Sequence, residues 1–486
     1  MKKSKQQTKV LFVSSEVYPY AKSGGLADVS FGLPKAMSDA FDVSVIMPLY
    51  GSIDIKRFKI RHVESFDIFL GAKKYKVELL STTYEGLKCY FVGSKIITDK
   101  KSLYGTPQSG YKDNDLRFGL FCKAVVAFVK SKNYDLLHLN DWQSALCALF
   151  VKEDATLKIQ TLFTIHNLAY QGIFEKESLE KLGLSQEYFH MDALEFYGGI
   201  SFMKAGIAYS DAITTVSPNY ANEILSNEFG CGLEGFLLKH KNKLTGILNG
   251  VDVSHFAPKT DTALVQNYDA SSYDKKAENK KAYLKERNFE NEQLPLFIFI
   301  GRFTWQKGVD LLIEALAELS QMKLNVAILG EGESKYHKQI KVQIAKSKNI
   351  DIYFGYDEAL SHRMYASADF LLMPSLFEPC GLNQLISMSY GVIPLVSSVG
   401  GLKDSVQTIE KYDLALAYGN YLGFGFTFDK NEPNALIKTI KEALKLYEDK
   451  KRFKEINIHN MSCDFSWNAG AKEYTSLYKS LLENRI

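Results

Sequence analysis

Two cations, Arg302 and Lys307, stand five residues apart in the segment GRFTWQKGVD, directly after the apolar run LFIFI and just before a helix-period stretch. Such a pair can neutralise a diphosphate together with the free N–H groups of a helix N-terminus. The plainer reading is solvated charge, and magnitudes separate the two. An exposed ion pair is worth about 0–1 kcal/mol, whereas a cation about 4 Å from a phosphate at an effective dielectric of ~20 gains about 4 kcal/mol, enough to matter for a leaving group. Glu378, in SLFEPCGLNQL, follows another apolar run and precedes a glycine and a helix. It can contact a sugar or a developing positive charge, or simply stand in water. Cys380 invites a nucleophile reading, but no Cys/His/Asn order is visible, and a packing or ligand-lining thiol fits better.

The first half carries a second set. Lys22-Ser23-Gly24-Gly25 lies between a strand and a helix, where glycine lets backbone approach a ligand and Lys22 supplies a cation; a turn needs glycine for steric reasons as well. Asp141-Trp142 and His166, in LHLNDWQSAL and TIHNLAYQG, sit just past apolar runs. Asp141 can be an active carboxylate or a helix N-cap, and His166 a catalytic or a satisfied loop histidine. G-x-x-x-x-G-K-[ST] does not occur, and the G-x-G-x-x-G at Gly230–Gly235 follows no apolar strand run, so neither reads as a phosphate-binding fingerprint; Leu329-Gly330-Glu331-Gly332-Glu333 reads as a turn.

These residues need a scaffold that gathers strand ends. Short β-branched runs alternate with helix-period segments, the pattern of parallel sheets covered by helices on both faces. The strands expected in the first half are Lys9–Val13, Val43–Met47, Asp135–Leu139, Ile159–Ile165, Ala212–Val216 and Leu244–Leu248, with Ser217 and Pro218 opening a helix. From Ala257 to Pro295 the composition turns polar and rich in Lys, Glu and Asn, and a new series follows at Leu296–Ile300, Leu324–Leu329, Ile352–Phe354, Phe370–Met373 and Val392–Val396. We therefore expect an α/β chain of two tandem Rossmann-like, doubly wound domains spanning 1–254 and 255–465. Such sheets bind ligands beyond the carboxyl ends of their strands, where the residues above lie, and domains that face each other would form one central cleft.

Composition narrows the class. The 486 residues are 46% hydrophobic and 24% charged, ordinary globular usage. The balance of 59 Lys plus Arg against 56 Asp plus Glu leaves +3, which gives no electrostatic reason to expect nucleic acid or an anionic membrane. Six scattered cysteines without a C-x-x-C pair suit reduced thiols in the cytoplasm. The apolar run near the start, Val10–Val13, is too short for a signal peptide, and no charge-free run is long enough for a membrane span.

Taken together the segments stop being generic. SSEVYPYAKSGGLADV, YKDNDLRFGLF, LHLNDWQSAL, TIHNLAYQG, SFMKAGIAYSDAITTVSPNYANEI, GILNGVD, GRFTWQKGVD, MPSLFEPCGLNQL and GGLKDSV follow one another in the order found in bacterial glycogen synthases and plant starch synthases, which the chain resembles nearly end to end. The resemblance implies the two-domain glycosyltransferase B fold, with an acceptor-side first domain, a donor-side second domain and a last segment, 466–486, crossing back to the first. It implies transfer of glucose from ADP-glucose to the nonreducing 4-hydroxyl of an α-1,4-glucan, with retention and without a metal or other cofactor. By the same resemblance Lys22, Gly25 and Asp28 lie near donor and acceptor, and Asp141, His166 and Asn249 lie around the transferred glucose. Arg302 and Lys307 hold the donor diphosphate, while Glu378, Cys380, Gly381, Leu382, Gly400 and Gly401 surround the sugar and distal phosphate.

Three positions depart from the common pattern: Val399 stands where threonine is frequent before Gly400-Gly401, Ile386 where the broader retaining group has a second glutamate, with Gln384 nearby, and Ser23 where threonine is common. The absent second glutamate is shared by glycogen and starch synthases. Val399 leaves only backbone donors beside the phosphate. The competing expectations are a UDP-glucose or other-acceptor transferase of the same fold, and a glucan-binding protein that keeps the fold without turnover.

Overall fold

A computed structural model of the chain describes residues 7–106, 109–409, 423–429 and 432–483. It divides into two compact units, Met1–Asn249 with Trp467–Ile486, and Gly250–Ser466.

The first unit is built on a nine-stranded sheet. Its strands in chain order are β1 (Lys9–Val13), β2 (Asp42–Pro48), β3 (Arg61–Leu70), β4 (Lys73–Tyr84), β5 (Leu87–Gly93), β6 (Leu136–Asn140) and β7 (Gln160–Ile165). A small separate sheet uses β8 (Ile173–Phe174), β9 (Glu195–Phe196) and β10 (Gly199–Ser201), and β11 (Ala212–Thr215) and β12 (Leu244–Gly246) complete the large one. Across that sheet the order is β12-β11-β7-β6-β1-β2-β5-β4-β3, parallel from β12 to β5 and antiparallel through β4 and β3. The parallel strands are apolar runs because both their faces are buried. The β3–β4 hairpin went unforeseen for the opposite reason: β3 alternates exposed and covered positions, so it offers no continuous apolar run. Ser217 caps the helix after β11 as the sequence suggested, accepting the Tyr220 N–H at 3.0 Å with Pro218 in the first turn.

The second unit has seven parallel strands, β13 (Leu296–Ile300), β14 (Asn325–Gly330), β15 (Ile350–Phe354), β16 (Phe370–Met373), β17 (Ile393–Ser397), β18 (Val406–Thr408) and β19 (Gly423–Phe428), in the order β15-β14-β13-β16-β17-β19-β18. Alternate residues of β13 feed two cores, Phe297 and Phe299 one, Leu296 and Ile298 the other, so helices cover both faces. The polar stretch after Ala257 is folded into this unit as well. Within it the helix Lys276–Glu286 anchors through Lys276, whose buried ammonium donates to the carbonyls of Tyr365, Ala366 and Tyr390 at 3.0 Å each. Its polar composition reflects the exposed face of a helix.

Strand order reverses at β1/β6 in the first unit and at β13/β16 in the second, the points where loops diverge and leave a crevice beyond the carboxyl ends. The loops after β1, β6, β13 and β16 carry Lys22, Asp141, Lys307 and Glu378.

The helix Asn468–Glu483 belongs to the first unit and seals it. Tyr478 OH lies 2.6 Å from Nδ1 of the fully buried His138, whose Nε2 lies 2.6 Å from Thr164 Oγ1. Burial holds the His138 imidazole neutral, well below its ordinary pKa. Tyr478→Phe leaves that ring nitrogen without its partner and should destabilise the first unit by about 1–3 kcal/mol, measured by urea unfolding with near-UV circular dichroism.

Candidate active site

In the second unit the chain after β13 makes a single 3-10 turn, Trp305–Lys307, ended by Gly308 at φ +65°. A Cβ at Gly308 would sit 1.8 Å from the Pro374 carbonyl oxygen, so only glycine lets the Lys307 turn lie against the end of β16. The contact is fastened by Gln306, whose carbonyl accepts the Leu376 N–H at 3.0 Å and whose Nε2 donates to the Phe377 carbonyl at 3.1 Å. Lys307 Nζ then meets both oxygens of Glu378, at 2.8 and 2.6 Å, and Ser375 Oγ donates to Glu378 Oε2 at 3.0 Å. Glu378 is buried and Lys307 partly exposed, so the pair presents its cationic side outward. Arg302 is exposed, and among the described residues no side chain pairs with it.

The loop bearing Glu378 is seated from below by Gly400-Gly401. At Gly400, φ is +47° and a Cβ would fall 1.9 Å from the Glu378 carbonyl oxygen. The Gly401 N–H donates to the carbonyls of Glu378 and Pro379 at 3.1 and 3.0 Å, so in this conformation it supports the loop instead of facing a ligand. Val399 occupies the N-cap of the helix Gly400–Ser405 with no side-chain cap. Cys380 is buried, and Leu382 packs on the core just before the helix Asn383–Ser389. Sequence reasoning passed over Gln384 as a bystander. Fully buried, it donates through Nε2 to the carbonyls of Cys380 and Gly381 and to Ser405 Oγ, between 2.9 and 3.1 Å, tying loop to helix.

In the first unit Lys22 Nζ pairs with Asp28 Oδ1 at 2.8 Å across the start of the helix Gly25–Met37. The residue that positions this turn, unmarked in the sequence reading, is Glu16. Its buried carboxylate accepts the Ser23 N–H at 2.5 Å, Ser23 Oγ at 2.6 Å and Tyr104 OH at 2.6 Å. A buried carboxylate needs such donors, and its place as the one charged residue between Lys9 and Lys22 was the available signal.

Asp141 stands at the N-cap of the helix Trp142–Glu153 but its side chain makes no cap hydrogen bond. Its backbone adopts φ 54°, ψ 178°, a strained conformation for a side-chain-bearing residue, of the sort that collects at functional sites at a cost of about 1–3 kcal/mol. The carboxylate turns to the loop after β7, with Oδ1 accepting the N–H groups of His166 at 2.8 Å and Asn167 at 3.4 Å. Burial pushes its pKa up to about 7 against those two hydrogen bonds, and the charge of Glu16 adds to the rise. His166 is pushed the other way by burial, to about 3, so its ring is neutral in ordinary buffers. Asn140 Nδ2 donates to the Val13 and His138 carbonyls, which leaves Asn140 Oδ1 to accept from His166 Nε2 at 2.8 Å and makes Nδ1 the ring's acceptor. Asn249, the last residue of this stretch of the unit, is buried with Oδ1 unpartnered among the described residues. The structure thus brings together Lys307, Glu378 and Gly400-Gly401 in one unit, and Lys22 with Asp28 and Asp141 with His166 in the other.

Two doubly wound units with charged side chains at their switch-point loops fit a glycosyltransferase of the two-domain type, and the comparisons show that class. The pattern of the starch synthase catalytic domain matches residues 9–239 and that of group 1 glycosyl transferases residues 280–459. The chain is 42% identical to the glycogen synthase of Aquifex aeolicus, over 97% of this chain and 99% of the other, and 38% identical to that of Geotalea daltonii, over 98% and 99%. The catalytic domain of starch synthase IV from Arabidopsis thaliana, bound to ADP and acarbose, superposes with a TM-score of 0.90 at 31% identity, covering 98% of this chain and 99% of that one. The chain belongs to the glycogen synthase family.

The Asp141 environment makes a prediction with a definite sign. Unfolded, this carboxyl titrates near 3.8; folded, near 7, so between those values the folded state holds the extra proton and stability falls as pH rises. Asp141→Asn removes the titration. The difference in unfolding free energy between the two proteins should drift against the wild type by up to about 4 kcal/mol from pH 4 to pH 7.5 and level off above, as read from urea melts at a series of pH values.

Proposed function

We propose that the protein transfers glucose from ADP-glucose to the nonreducing 4-hydroxyl of an α-1,4-glucan with retention of configuration, in cytoplasmic glycogen biosynthesis. The observation that carries this reading is the Lys307–Glu378 pair, held at the switch point of the second unit in a chain of the glycogen synthase family. The ADP named with the starch synthase IV structure favours ADP-glucose over UDP-glucose as donor.

Two of the three N–H bonds of Lys307 go to Glu378, and the third is left for a phosphate oxygen. Arg302 adds a second cation with five donors in a fork that suits phosphate. These fixed charges take the place a metal ion has in other transferases, so catalysis needs no metal or other cofactor. As the bond to the nucleotide breaks, charge collects on the leaving diphosphate and the sugar becomes oxocarbenium-like. Preorganised cations and backbone N–H groups then stabilise the transition state more than the ground state. Glu378, with Cys380, Gly381 and Leu382, borders the sugar.

In the first unit the neutral His166 accepts a sugar hydroxyl at Nδ1, Asn249 Oδ1 accepts another, and Asp141 holds the His166 loop in place. Lys22, Gly25 and Asp28 lie at the turn stiffened by Glu16. The acceptor hydroxyl attacks from the leaving group's own face, and a phosphate oxygen takes its proton; no carboxylate on the opposite face is required as nucleophile.

The direct test is glucose incorporation into glycogen by the purified protein, with ADP-glucose and UDP-glucose in parallel and EDTA present. Rapid transfer from ADP-glucose in EDTA is expected. Transfer from UDP-glucose alone reverses the donor assignment, dependence on added metal removes the metal-free mechanism, and no transfer from either donor leaves a glucan-binding protein. Arg302→Met and Lys307→Met should each lower kcat by about three decades, equivalent to about 4 kcal/mol. Glu378→Gln should likewise impair kcat while circular dichroism stays unchanged. A normal kcat in any of the three ends the role given to that residue.

A further inference from the structure

A second cluster in the Gly250–Ser466 unit shares no residue with the set above. His255 lies near the start of this unit, and Glu358 and His362 lie four apart in the helix Glu358–Ser367, hence on one face of it. His255 Nε2 is 3.0 Å from Glu358 Oε1, and the rings of His255 and His362 have centroids 5.1 Å apart at 78°. One ligand-type atom from each of the three residues lies within 4.8 Å of the other two.

What surrounds His362 separates this cluster from a chance meeting of polar side chains. The residue is only 5% exposed, with one ring face stacked on Phe256. Its Nδ1 lies 2.7 Å from Asp261 Oδ2, which also accepts Tyr390 OH at 2.5 Å, while Asp261 Oδ1 accepts the Ala263 N–H at 2.9 Å. The carboxylate therefore accepts, the His362 proton sits on Nδ1, and Nε2 keeps a bare lone pair. That Nε2 is buried and meets no hydrogen-bond donor among the described residues, an arrangement proteins generally avoid unless something binds there. A histidine whose far nitrogen is oriented by a carboxylate is the usual outer-shell design of a metal ligand.

We propose that His255, Glu358 and His362 bind a zinc-type divalent transition-metal ion, with Asp261 as the carboxylate that orients His362. Two imidazoles and one carboxylate select such an ion over magnesium or calcium, which prefer all-oxygen shells. The two carboxylates, one in contact and one behind, balance the charge of the ion. Ligand atoms around tetrahedral zinc sit about 3.3 Å apart, so the observed spacing needs side-chain adjustment and no backbone movement. The ion cross-links the opening segment of this unit to the helix that precedes β16, and it plays no part in the transfer step.

The test uses the full chain stripped with EDTA and then dialysed free of chelator. Titration with zinc against a chromophoric competitor should show one tight equivalent, and saturating zinc should raise the melting temperature. Cobalt(II) in place of zinc should give a visible spectrum of nitrogen and oxygen ligation without a sulfur-to-cobalt charge-transfer band. His255→Ala and Glu358→Gln, at partly exposed positions, should each weaken zinc binding at least tenfold while leaving the metal-free melting temperature unchanged. Absence of the tight equivalent, undiminished affinity in both variants, or a thiolate band in the cobalt spectrum would each overturn the proposal.

Discussion

Two carbonyl oxygens set the terms for the second unit. Those of Pro374 and Glu378 press so close to Gly308 and Gly400 that a methyl group would collide at either place. Because the loop after β16 is clamped by backbone on both sides, Lys307 and Glu378 meet in one fixed geometry. Gln306 and Gln384 finish the clamp with amide hydrogen bonds directed at loop carbonyls. Rotation of a buried amide would break several bonds at once, so the loop holds its shape as a unit.

The first unit solves the same problem with charge. Three acidic groups, Glu16, Asp28 and Asp141, sit at or near strand ends, and each is met differently: Glu16 by two hydroxyls and an amide, Asp28 by Lys22, Asp141 by two amides alone. Among the described residues Asp141 meets neither hydroxyl nor cation, and burial lifts its pKa to about 7. Beside it the His166 ring is kept neutral by burial. A neutral imidazole next to a carboxylate of variable protonation is suited to holding hydroxyl groups, which both donate and accept, better than to donating protons.

Much of this was legible in the residues before the structure. The parallel strands announce themselves as apolar runs, since burial on two faces demands them, and the polar residues just past those runs fall at switch-point loops. What escaped notice shares a physical character. The hairpin β3–β4 alternates in burial, Glu16 and Gln384 act only on neighbouring backbone, and the Gly401 N–H is occupied by loop carbonyls. Roles defined by what a group touches leave no imprint on spacing. Asp141 is the clearest instance: its place in the chain says helix cap, and its side chain does something else.

The sealing helix Asn468–Glu483 has a consequence for how the molecule is made. Trp467 fills the space above Gly32, and Tyr478 completes the shell of His138, yet both are synthesised after the entire Gly250–Ser466 unit. At ribosomal speeds of about 5–20 residues per second, that delay is on the order of ten to forty seconds. Throughout it the nascent first unit carries an uncovered groove over β6 and the helix Gly25–Met37. The order of translation therefore leaves the first unit to reach its final packing only after the second has been made, and gives chaperones that recognise apolar grooves a defined interval in which to act.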